Sequence, residues 1–101
     1  MTDNELTYKI RGAIFDVYNE LGPGLLESVY EEALVFELKT PLRLDLLIEN
    51  KIIVELKSVE EMKPVFAKQL LTYLRLLDKR VGLLVNFSSD NIREGIKRIA
   101  N

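Results

Sequence analysis

The sequence predicts a small α/β domain in which helices flank a mixed β-sheet. Three observations predict it. Apolar residues recur at helical spacing over 4–21 and again over about 26–38. Two short aliphatic runs flank the polar Glu49-Asn50-Lys51, the mark of a β-hairpin. A third helical stripe leads into VGLLVNF at 81–87, apolar in both alternating sets, as a strand covered on both faces would be. A right-handed crossover then lays 81–87 parallel to 51–57, giving the order α-α-β-β-α-β-α.

Leu6, Ile10, Ala13, Ile14, Val17 and Leu21 form the stripe of the first helix, which Thr2 or Asp3 can cap and Gly22-Pro23 stops. The second helix turns Leu26, Val29, Tyr30, Ala33 and Leu34 inward. The hairpin occupies 43–57. Pro64 suits the first turn of a third helix, which runs to about Leu77 on Leu70, Leu71, Leu74 and Leu77. Ser88, Ser89 or Asp90 can cap a short last helix holding Ile92, Ile96 and Ile99.

With 101 residues and no repeat or linker, the chain reads as one domain over 1–101. The 48% apolar and 30% charged residues match a globular chain, not a disordered one. No stretch of ~18 apolar residues predicts a membrane span, and no signal peptide is recognisable, so a cytoplasmic location is expected. The absence of Cys and His excludes thiolate nucleophiles, Ser-His triads and imidazole metal ligands. Any metal would be held by oxygens, which favours magnesium, manganese or calcium. A net charge of −2 gives no general basic excess for nucleic acid. Such binding would need local basic patches, or cations that offset the acids.

The hairpin register decides where the charges fall. With a two-residue turn, Ile48 pairs with Lys51, Asp45 lies opposite Val54, and charge enters both faces. With a three-residue loop, Ile48 pairs with Ile52 and Asp45 with Glu55. One face is then aliphatic (Leu44, Leu46, Ile48, Ile52, Val54, Leu56), and the other gathers Arg43, Asp45, Glu55 and Lys57. The hydrophobic pattern selects this second register. Two carboxylates directly opposite repel each other, and a divalent cation would turn that repulsion into a binding site. An ion-pair cluster on a solvated strand face is the alternative.

Asp45 followed by Glu55-x-Lys57 resembles the PD-(D/E)XK nuclease signature. Gln69-x-x-x-Tyr73 stands on the helix after it, as in RecB-like and lambda-exonuclease-like nucleases. Gly24-x-x-Glu27-x-x-Tyr30 stands on the helix before it. Together they resemble the small bacterial and archaeal GxxExxY family of that superfamily, over nearly the whole chain. The resemblance implies a restriction-endonuclease-like core and a metal-dependent nuclease. Asp45, Glu55, the Leu56 carbonyl and Glu27 would bind Mg2+ or Mn2+, and Lys57 would orient water or stabilise phosphate charge. Gln69, Tyr73, Tyr30 and Arg43 are the candidate substrate contacts. The implied substrate is nucleic acid, DNA before RNA, with a second copy or a protein as a further partner.

Two features depart from the family. Relatives carry a further segment, including the first core strand, where Lys39 here runs almost directly into Arg43. Losing that strand would expose a sheet edge, so further residues between Lys39 and Arg43 are expected in the protein. Phe66 stands where many relatives have His.

The individual residues also have plainer readings. Glu27 can be a helix-end acid favoured by the dipole, Tyr30 and Tyr73 core aromatics, and Gln69 a surface residue. Asn86 reads as a cap for the turn after its strand. Arg93, Lys97 and Arg98 form a basic strip on the last helix. A nuclease is the leading reading. A binding module that keeps the fold without turnover is the alternative, which the small acidic chain allows and the intact Asp45, Glu55 and Lys57 disfavour.

Overall fold

The computed structural model describes residues 1–39 and 47–101. Helix α1 (Asp3–Leu21) starts at Thr2, whose hydroxyl accepts from the Glu5 N–H while the Glu5 carboxylate accepts from the Thr2 N–H. The Thr2 backbone bond, helped by the Thr2 hydroxyl, holds the Glu5 carboxyl below its usual value. The chain leaves α1 through Gly22 (φ 72°) and Gly24 (φ 92°), left-handed positions that favour glycine. Helix α2 (Glu27–Leu38) follows.

Strands β1 (Leu47–Ile48) and β2 (Ile52–Lys57) form the hairpin, with Ile48 opposite Ile52 and Leu47 opposite Ile53. This is the register of the three-residue connection, with Glu49 and Asn50 in the left-handed region. The second half of that expectation, Asp45 opposite Glu55, lies outside the described residues, as does Arg43. So does most of the join where a further segment is expected. Helix α3 (Pro64–Leu76) crosses over to β3 (Val81–Asn86), which lies parallel to β2 with Glu55 beside Leu84 and Lys57 beside Asn86.

The chain then departs from expectation. Only Ile92–Gly95 is helical (α4), and Ile96–Ala100 is a strand, β4, antiparallel to β3. Ile96 and Ile99 are three apart, which on a helix would place them together but on a strand sends them to opposite faces. Here both faces are covered. Ile96 joins the α1–α2 side of the core and Ile99 packs on the α3 side. At the junction a Cβ on Gly95 would stand 2.6 Å from the Asn86 carbonyl oxygen, so only glycine lets the turn close this tightly. The four strands lie in the order β1-β2-β3-β4.

One face of the sheet, with Ile48, Ile52, Val54, Leu83 and Val85, packs on Ile10, Ile14, Tyr30 and Leu34 of α1 and α2. The other, with Ile53 and Leu84, packs on Leu70 and Leu74 of α3. Four expected core residues stay outside. Leu21 is exposed at the end of α1, Leu26 (74% exposed) is the residue before α2, Val29 faces away from Tyr30 and Leu34, and Leu77 (54% exposed) follows the last turn of α3. Among the described residues no helix is long and apolar enough to cross a membrane.

Candidate active site

Alternation along β2 sends Ile53, Glu55 and Lys57 to the α3 side of the sheet. That side is not a solvated strand face. Leu70 and Leu74 cover its middle, and Glu55 is buried, at 9% exposure. The Lys57 ammonium lies 3.9 Å from Glu55 Oε1 and 4.4 Å from the centre of the Phe66 ring. Phe66 comes from the first turn of α3, so it is this residue that the helix brings against the lysine.

The backbone next to Glu55 is also fixed. The Lys57 carbonyl accepts from the Phe87 N–H at 2.9 Å and therefore faces β3. Carbonyls alternate along a strand, so that of Leu56 faces the other way, toward the hairpin side of β2. A buried carboxylate beside an outward carbonyl, in a chain with no Cys or His, is a hard-oxygen donor set suited to a hard divalent cation. Among the described residues no three acids converge, and Asp45 lies outside them.

The loop that carries Gly24 is tied to this end of the sheet. The buried Tyr30 stacks on Phe87, centroids 4.2 Å apart, while its hydroxyl donates to the Gly22 carbonyl and accepts from the Leu25 N–H. Tyr30 thus builds the loop from inside the core rather than facing a substrate. Ser58, directly after Lys57, donates its hydroxyl proton to the Leu25 carbonyl. Its 2.8 Å bond to Ser88 Oγ must then be donated by Ser88, since each hydroxyl has one proton. These bonds place the start of α2, and Glu27 as its first residue, at the Lys57 end of β2. Glu27 is exposed there.

Gln69 and Tyr73 are exposed on α3. Asn86 is buried and tied into the turn: Oδ1 accepts from the Ser88 and Val59 N–H groups, and Nδ2 donates to the Val59 carbonyl. It caps the turn, as its position suggested. The basic strip divides. Arg93 is exposed on α4, Arg98 reaches Asn4 Oδ1 on the α1 side, and Lys97 faces the α3 side, next to Leu84. With Lys63 and Pro64, Lys97 lines a cleft of about 310 Å³ that also includes Leu84, Asn86 and Glu94. Since Leu84 and Asn86 neighbour Glu55 and Lys57 across the ladder, this cleft borders the candidate site.

A model of the PD-(D/E)XK nuclease superfamily matches residues 4–41 and 38–99, in two blocks that meet at 38–41. The chain belongs to the PD-(D/E)XK nuclease superfamily. No curated protein and no solved structure matches it. Nucleases of this superfamily generally use divalent metals, and the mixed four-stranded sheet between helices is compatible with a restriction-endonuclease-like fold.

Glu55 and Lys57, the candidate residues of the sequence, lie together in the structure, while Ser58, Lys63 and the Phe66–Lys57 contact had no place in that reading. Ser58 bonds across thirty-three positions, which no local pattern announces. Lys63 stands directly before Pro64 at the helix start, a signal that was there to read.

Proposed function

We propose that the protein is a divalent-metal-dependent nuclease that hydrolyses phosphodiester bonds in DNA or RNA, a cytoplasmic enzyme of the GxxExxY type built from residues 1–101 as one unit. The observation that carries this reading is the buried Glu55 with Lys57 at 3.9 Å, on the strand of a PD-(D/E)XK chain. Glu55, Asp45, the Leu56 carbonyl and Glu27 would hold the cation. Continuing the ladder from Ile48 and Ile52 would bring Asp45 opposite Glu55. When bound, Mg2+ or Mn2+ would neutralise phosphate charge and lower the pKa of attacking water, so the absence of histidine is no obstacle. Lys57 would place its ammonium where negative charge develops on the phosphate. Arg43, Gln69 and Tyr73 would contact the strand from the hairpin and from α3.

The Lys63–Lys97 cleft would take a phosphate next to the scissile one. Replacing either lysine with Ala should weaken binding of a short oligonucleotide about equally for all sequences. It should also reduce the slope of log affinity against log salt by roughly one. Fluorescence anisotropy across a salt series measures both, and an unchanged slope would remove the cleft from the nucleic-acid path.

Metal binding is testable without substrate. Manganese at a hundredfold excess over its Kd should stabilise the fold by about 2.7 kcal/mol through mass action, roughly 10–20 °C in Tm for a chain this small. Glu55→Gln should abolish the increment. A flat Tm across millimolar manganese would count against the site.

The 101-residue sequence runs continuously from Lys39 through Thr40, Pro41 and Leu42 to Arg43, so the further segment expected there is not part of it.

A further inference from the structure

Lysine is a compact charge on a long flexible stem, so holding it in one place costs side-chain entropy. Among the described residues two contacts hold Lys57. One is to the Glu55 carboxylate and the other to the face of Phe66, 4.4 Å from ammonium to ring centre. The ring does not depend on the lysine for its own position. It is half-buried on α3 and packs against the cluster of Ile53, Leu70, Leu74 and Leu84. Lys57 is itself largely sheltered, its side chain 19% exposed, and a cation–π contact is stronger where water is scarce.

The two contacts differ in what a bound cation would do to them. A divalent ion on Glu55 competes for the charge that attracts Lys57. The ring has no net charge to lose, and its quadrupole still faces the ammonium. We propose that Phe66 is a positioning residue of this site, holding the Lys57 ammonium over its ring and keeping it beside Glu55 when a cation occupies the carboxylate. Its importance for turnover rests on the nuclease reading, but the contact itself does not.

The test replaces Phe66 with mono-, di- and trifluorinated phenylalanine, which nearly keep the shape of the ring while making its face progressively less negative. Phe66→Leu serves as the apolar control. The first readout is the NMR shift of the Lys57 ε-methylene protons, with and without magnesium. In the wild type they should lie upfield from ring current in both states and move to the free-lysine position along the series. The second readout is cleavage. Its kcat should fall stepwise, roughly twofold to thirtyfold over the series, the span of such contacts, while KM and Tm change little. Lys57 resonances at the free-lysine position in the wild type, or unmoved from phenylalanine to the trifluoro ring, would overturn the proposal, as would a flat kcat. In a protein that cleaves nothing, the nuclease reading falls and the same resonances still decide the contact: loss of the upfield shift with fluorination upholds it, and a retained or absent shift refutes it.

Discussion

Lys57→Ala is expected to lower cleavage of DNA or RNA by about two to three orders of magnitude while leaving the manganese-dependent rise in Tm in place. Glu55→Gln is expected to eliminate both. The difference follows from position. Glu55 offers hard oxygens from a buried strand site, so on the proposed reading losing it would remove the cation and the chemistry that depends on it. Lys57 offers a positive charge 3.9 Å away and no ligand atom, so on the same reading losing it would leave the metal and remove only the stabilisation of developing charge. Glu27→Gln separates two roles. As a ligand at the start of α2 it should give an intermediate loss, and as an acid favoured by the helix dipole it should be silent. Cleavage assays in magnesium and manganese with the three variants measure this, each checked for folding by circular dichroism. If the wild type cleaves no better than Glu55→Gln on any DNA or RNA substrate, a binding module that keeps the fold replaces the enzyme.

Tyr30→Ala should be among the most damaging single changes to stability. Tyr30 is fully buried, its ring lies nearly parallel to Phe87, and its hydroxyl joins both sides of the turn between α1 and α2. Removing a core aromatic costs about 3–5 kcal/mol, roughly 12–40 °C of Tm in a domain this size. Tyr30→Phe keeps the stack but leaves the Leu25 N–H and the Gly22 carbonyl without the hydroxyl, which costs about 1–2 kcal/mol. Thermal melting of the two variants checks the pair. A Tyr30→Phe protein with unchanged Tm but weakened oligonucleotide binding would return Tyr30 to the substrate contacts.

The pairing of Ile48 with Ile52 was legible because a period of two leaves one register with an aliphatic face, and that face is the one α1 and α2 cover. Ile92, Ile96 and Ile99 misled because spacings of three and four are the sign of one helix face. A strand lined on both sides satisfies the same residues by sending Ile96 and Ile99 to different clusters. The apolar spacing of α2 likewise did not say which flank would be buried, since Leu26 and Val29 remain outside while Tyr30 and Leu34 go in.

At the site, Glu55 and Lys57 were legible from strand alternation and from the family signature together. What lay beyond the sequence was the surroundings. α3 closes over that face, and Phe66 meets the lysine. The Gly24-x-x-Glu27-x-x-Tyr30 motif also takes on a physical division of labour. Glycine supplies the left-handed turn, tyrosine locks that turn into the core, and Glu27 is presented at the end of β2.

The most direct test of the central claim is a crystal structure of the protein soaked in manganese, read at the anomalous edge of the metal. The account predicts an anomalous peak bound by the Glu55 carboxylate and the Leu56 carbonyl, with Asp45 completing the set from the opposite strand and Lys57 alongside but not ligating. Well-ordered density for Glu55 and Asp45 with no peak between them, in crystals soaked in millimolar manganese, would contradict it.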